Sequence, residues 1–136
     1  VGQIHVPVTL RNTREEVLAQ LGHLAPGQVH TLDTEALVDT GALHLVIPQA
    51  LADQLALVGL RSQAVTMADG RDGVYPQTEP VTIELLGRAY ALSALVMGAT
   101  VLLGAMVLEG LDLAVDPARQ GLMPNLGTWD QPRFRA

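Results

Sequence analysis

The sequence predicts a mainly β single domain with one or two short helices, and three observations carry that expectation. A chain of 136 residues fits one hydrophobic core and leaves no room for two. Hydrophobic residues make up 49% but aromatics only 3%, so the core must be built from Val, Leu, Ile and Ala. The apolar residues also fall in short runs punctuated by Gly, Pro and Asp, as strands joined by turns do.

Taken in order, Ile4 to Leu10 alternates with period two and reads as a first strand, with Pro7 arguing for an edge position. Asn12 to Gly27 is polar and punctuated, a connection with at most a short helical turn. Gln28 to Val38 reads as the next strand and runs into Asp39-Thr40-Gly41. Leu43 to Ile47 is a short apolar strand, and Pro48 then opens a helix where its missing N–H costs nothing. Leu51, Ala52 and Leu55 give that helix an apolar face through about Leu57, and Gly59 closes it.

Gln63 to Ala68 and Val74 to Gln77 flank Asp69-Gly70-Arg71-Asp72-Gly73, the composition of a hairpin tip. Val81 to Leu86 and Tyr90 to Met97 form a second hairpin around Gly87. Val101-Leu102-Leu103 is a buried strand stopped by Gly104, with a short helix near Met106 to Glu109. Leu113 to Val115 and Gly121 to Met123 are last strands around Asp116-Pro117. Ala89 to Leu108 carries no charge and is long enough to span a bilayer, but Gly98-Ala99-Thr100 and Gly104 divide it, so it reads as core strands. No apolar signal-peptide core appears in residues 1–30, and a cytoplasmic location is expected.

Composition narrows the chemistry. The net charge is −6 with no basic cluster, which argues against nucleic acid as a partner. The basic residues are all arginine; without lysine there is no Schiff base and no P-loop. Cysteine is absent, so thiol nucleophiles, thiolate zinc sites and disulfides are excluded. Ser62 and Ser93 lie outside any Gly-x-Ser-x-Gly setting. His5, His23, His30 and His44 show no paired ligand spacing, so neither metal nor organic cofactor is expected. Hydrolytic chemistry in this chain must run on carboxylates.

The candidate is Asp39 within Ala36-Leu37-Val38-Asp39-Thr40-Gly41-Ala42. This segment resembles the active-site strand and turn of retropepsin-like aspartic proteases. Val101-Leu102-Leu103-Gly104 is similar to the family's second signature, and the 63–77 hairpin sits between them where the family has its flap. The resemblance spans roughly residues 28–125 and looks closest to small bacterial and archaeal members. It implies a single-lobe, closed β-barrel-like acid-protease fold over residues 1–126. Residues 127–136 form a C-terminal tail with no counterpart in the family; Trp129 and Phe134 are expected to pack on the domain, the rival being a tail that reaches the active-site groove.

The same resemblance implies roles. Asp39 carries the catalytic carboxylate, Gly41 permits a tight turn beside it, and Thr40 hydrogen-bonds to its symmetry mate. Ala42, Leu43, Met67, Ala68, Asp69, Gly70 and Leu102 contact substrate, with Val46 adding to an apolar pocket. One Asp-Thr-Gly per chain implies a homodimer acting on peptide or protein substrate, its interface drawing on terminal strands such as Ile4 to Leu10. Retroviral members carry an ion pair where this chain has Leu43 and Ala105, so apolar packing has to replace it. The rival reading is a dimerising, peptide-binding module that does not cut.

Overall fold

The computed structural model describes residues 3–125, whose main feature is one nine-stranded sheet. Strand β1 (Ile4–Asn12) sends Val6, Val8 and Leu10 into the core by simple alternation. Its last residue, Asn12, caps α1 (Thr13–Gln20): its side-chain oxygen accepts from the Glu15 N–H at 3.0 Å. A single 3₁₀ turn at Pro26–Gln28 leads to β2 (Thr31–Val38), which pairs antiparallel with β1 from Ile4↔Val38 to Arg11↔Thr31.

Next come β3 (Leu45–Ile47) and α2 (Gln49–Gln54), then the long hairpin β4 (Gly59–Thr66) and β5 (Asp72–Thr78). A second hairpin, β6 (Val81–Leu85) and β7 (Arg88–Leu92), turns at Leu86-Gly87, both with positive φ. The chain then crosses to β8 (Ala94–Val96), β9 (Val101–Leu103), α3 (Ala105–Leu111) and a separate ribbon of β10 (Leu113–Asp116) and β11 (Gly121–Pro124). The sheet order is β4-β5-β8-β3-β9-β2-β1-β6-β7. Strand β9 lies between β2, to which it is parallel, and β3, to which it is antiparallel.

The mainly β expectation is met, with several corrections. The sheet is open, with β4 and β7 as its ends, so the closed barrel is not seen. Three α-helices are present among the described residues, because α1 replaces the expected connection. Strand β1 is not an edge strand awaiting a partner; β2 and β6 flank it. Pro7 is tolerated because β6 reaches only Thr9–Asn12, leaving Ile4–Val8 with no strand paired on that flank among the described residues. The helix after Pro48 ends at Gln54, and Ala56, not Gly59, takes the left-handed conformation beyond it. Tyr90 to Met97 is two strands at distant places in the sheet. The uncharged run 89–108 spans four elements, and no helix among the described residues is long and apolar enough to cross a membrane. The tail with Trp129 and Phe134 lies outside the described residues.

The core fills one face of the sheet. Ala36, Val101, Leu103, Leu45, Ala94, Ile47 and Val96 line up across β2, β9, β3 and β8, and Val107, Leu108 and Leu111 of α3 join the same core cluster. Among the described residues no buried side-chain nitrogen or oxygen lacks a hydrogen-bond partner. The Asn12 amide donates to the Leu55 and Ala56 carbonyls, and Glu79 accepts from Arg14 and the Val58 N–H. Arg88 donates to the carbonyls of Leu111 and Asp112 at 2.9 Å each, tying α3's end to β7.

Asn12→Ala removes a cap and leaves the buried Leu55 carbonyl without its donor, so it should cost about 2–3 kcal/mol. Urea denaturation checks this as a lower midpoint at unchanged slope. Glu15 supplies a pH signature. Burial alone raises its pKa, but hydrogen bonds from the His30 backbone and ring, with the charges of His30 and Arg14, outweigh it and hold the carboxyl below its ordinary 4.5. A lowered folded-state value stabilises the fold above the ordinary one, and the gain disappears as pH falls through the lowered one. Glu15→Gln should therefore be less stable than wild type at neutral pH, with the gap closing below pH 4.5. Thermal melts across that range measure it.

Candidate active site

Strand β2 ends at Val38, but its ladder continues for one hydrogen bond, from the Asp39 N–H to the Leu103 carbonyl at 3.0 Å. The chain then turns back: the Ala42 N–H donates to the Asp39 carbonyl at 3.1 Å. Inside this turn the Gly41 N–H donates to Asp39 Oδ1, also at 3.1 Å, and fixes the carboxylate's orientation. Thr40 and Gly41 are exposed, and the Thr40 hydroxyl has no hydrogen-bond partner among the described residues.

Gly41 was expected to permit a tight turn through its backbone freedom. It is not among the glycines with positive φ, so that reason is corrected. What the missing side chain does is leave space beside the carboxylate: a Cβ there would sit 3.4 Å from Asp39 Oδ1.

The turn is held from below by the junction of β9 and α3. The N–H groups of Gly104, Ala105 and Met106 donate to the carbonyls of His44, Ala42 and Leu43 at 3.2, 2.9 and 3.0 Å. Donors at a helix start have no partner within their own helix; these three are satisfied by the carboxylate loop. The backbones meet so closely that a Cβ on Gly104 would lie 2.6 Å from the His44 oxygen and 2.8 Å from that of Ala42. Only glycine fits.

Strand alternation decides what shares a surface with Asp39. Val38 packs on the core, so Leu37 and Asp39 belong to the opposite face. Across the sheet on that face, Leu37 pairs with Leu102, Leu102 with Val46, Val46 with Leu95, and Leu95 with Gln77 of the β4–β5 hairpin. From Gln77 the same face continues to Tyr75, opposite Gln63, and to Gly73, opposite Val65. All four are half-buried, whereas the alternate residues Ala64 and Val74 are exposed. One face thus carries the carboxylate, an apolar row and one side of the β4–β5 hairpin.

Among the expected contact residues, Leu102 and Met67 occupy half-buried positions, and Ala42 lies within the turn. Ala68, Asp69 and Gly70 form the exposed hairpin tip. There Gly70 takes φ 86° and Arg71 pairs with Asp69 at 2.7 Å. Leu43 is 57% exposed. Leu37, Leu95 and Tyr75 were not anticipated. Leu37 could have been found from its two-residue spacing to Asp39; Leu95 and Tyr75 needed the register. The Tyr75 ring lies over Gly73, where a Cβ would be 2.6 Å from it, and its hydroxyl has no hydrogen-bond partner among the described residues. No group of three His, Asp or Glu side chains converges on a metal-sized site among the described residues.

A family model described as "gag-polyprotein putative aspartyl protease" matches residues 25–110, well over half of the chain. The chain belongs to this aspartyl protease family. No curated protein matches it. The matched segment contains β2, the Asp39 turn, the hairpin and the β9–α3 junction. Strand β1, α1 and the β10–β11 ribbon fall outside it.

The close approach at Gly104 yields a direct test. Gly104→Ala meets backbone atoms, which cannot swing aside as a side-chain end can, so it should destabilise the fold by about 3 kcal/mol. Urea denaturation reads the loss, and amide shifts of residues 39–44 should move most.

Proposed function

We propose that this protein is a homodimeric aspartic endopeptidase whose active site forms where two Asp39 turns meet. The observation that carries this reading is the fixed, uncovered Asp39 carboxylate on an exposed turn, present once in the chain. A peptide bond cut without a covalent nucleophile needs a base to activate water and an acid to protonate the carbonyl oxygen. Two carboxylates sharing one proton supply both, since like charges that close do not both ionise. A second copy provides the second carboxylate, and the exposed Thr40 hydroxyl is free to bond to its symmetry mate.

In this mechanism a water held between the two Asp39 side chains loses a proton to the ionised one and attacks the scissile carbonyl. The protonated partner gives its proton to the carbonyl oxygen. On collapse of the tetrahedral gem-diol, the proton taken from water goes to the leaving amine and a hydroxyl proton returns to the second Asp39, which restores the singly protonated pair. The apolar row of Leu37, Leu102 and Val46, with Ala42 at the turn, receives side chains beside the scissile bond. Met67 and Tyr75 approach from the hairpin, which closes over substrate and excludes solvent. Apolar residues around the cut site follow from this lining.

The rival, a dimer that binds peptide without cutting, shares every one of these elements. Asp39→Asn separates the two, because an Asn oxygen can still accept from the Gly41 N–H and keep the turn. Wild type should digest unfolded casein with a bell-shaped acid-range pH profile, and Asp39→Asn should lose about 10³-fold or more with the dimer intact. Equal inertness of both proteins across the pH range would favour the non-catalytic module.

A further inference from the structure

We propose that Leu43 and Met106 form the apolar contact through which a second copy of this chain docks beside the Asp39 turn. This rests on the homodimer reading and adds the residues that hold it together. Both are large, apolar and exposed, 57% and 39% respectively, and 63 positions apart in sequence. The hydrogen bond from the Met106 N–H to the Leu43 carbonyl, at 3.0 Å, makes them neighbours. The other large exposed hydrophobics, such as Val17, Leu60 and Val74, lie on α1, β4 and β5, away from this junction in the fold.

The occupant follows from the chemistry and the turn geometry. One chain supplies one carboxylate, so the site is incomplete until a second 39–42 turn abuts the first. The Ala42-to-Asp39 hydrogen bond keeps the Leu43 Cα within about 11 Å of the Asp39 Cα. A leucine side chain that near the two-fold axis is covered when the copies meet. The flanking sequence is poor in charge, since residues 40–52 and 89–108 contain no Asp, Glu, Lys or Arg; exposed Glu109, one turn beyond Met106 on α3, borders the pair. Two chains of net charge −6 repel at long range, so the contact has to be made by desolvating apolar surface. The three hydrogen bonds around Gly104 hold both backbones in place before docking, which limits the ordering cost. Because the interface is two-fold, each side chain counts twice.

Sedimentation of the whole protein tests this with two charged variants, Leu43→Asp/Met106→Asp and Leu43→Arg/Met106→Arg. Both sites are exposed, so circular dichroism should show each variant folded. Each should raise the dimer dissociation constant at least about thirtyfold. An equimolar mixture should regain the dimer, since opposite charges then face each other across the axis. If wild type dimerises and both variants dimerise equally well, the contact is elsewhere and only this proposal falls. If the variants keep the dimer but shift KM for peptide, the pair lines the substrate groove and the proposal is wrong. A wild type that stays monomeric at every concentration overturns the homodimer reading itself.

Discussion

The arrangement depends on one close approach of backbone to backbone, at Gly104. Strand β9 enters between β2 and β3, and its last carbonyl, on Leu103, receives the Asp39 N–H. The next three N–H groups would otherwise be unpaired at a helix start; here they capture three consecutive carbonyls of the carboxylate loop. This exchange needs no side chain at residue 104. The same feature explains why a buried strand, a glycine and a short helix follow one another in the sequence. The helix is anchored at its far end as well, by Arg88 and by Gly110 packed against Tyr90. The Asp39 turn is therefore braced through α3 back to the opposite edge of the sheet.

The sheet also divides labour between its faces. Residues such as Ala36, Leu45, Ile47 and Leu103 face the core and account for stability. Their neighbours in sequence, Leu37, Val46 and Leu102, face the other way, in line with Asp39. A strand's period of two forces this separation: no residue can serve both faces, and a slip of one would exchange them. The β4–β5 hairpin belongs to the chemical face through a single pairing, Gln77 with Leu95. The hairpin is thus joined to the sheet more lightly than the carboxylate turn, which several hydrogen bonds fix.

Much of this was legible because it was local. The Asp39 turn, the hairpin tip at Asp69-Gly70 and the stop at Gly104 each announce themselves within five residues. Helix α1 did not, because none of its residues is buried and it has no apolar stripe to read. Its real signal was the Asn12 cap with Glu15 three residues on, a pattern easily taken for a polar connection. Strand β1 was misplaced because Pro7 indicates a free flank without saying how much of the strand is free. The split of 90–97 into β7 and β8 is invisible to periodicity, since both halves are buried and apolar. Tyr75 joins the Asp39 face only through a register running across five strands, and no spacing in the sequence encodes that.

In the proposed dimer each chain supplies one Asp39 carboxylate and two chains complete the site. Calorimetric titration with a hydroxyl-bearing transition-state peptide analogue measures this most directly, because one such ligand occupies one pair of Asp39 side chains. A site built by two copies binds one ligand per two chains and loses it in Asp39→Asn. One ligand per chain, with binding unchanged by Asp39→Asn, would contradict the two-copy site.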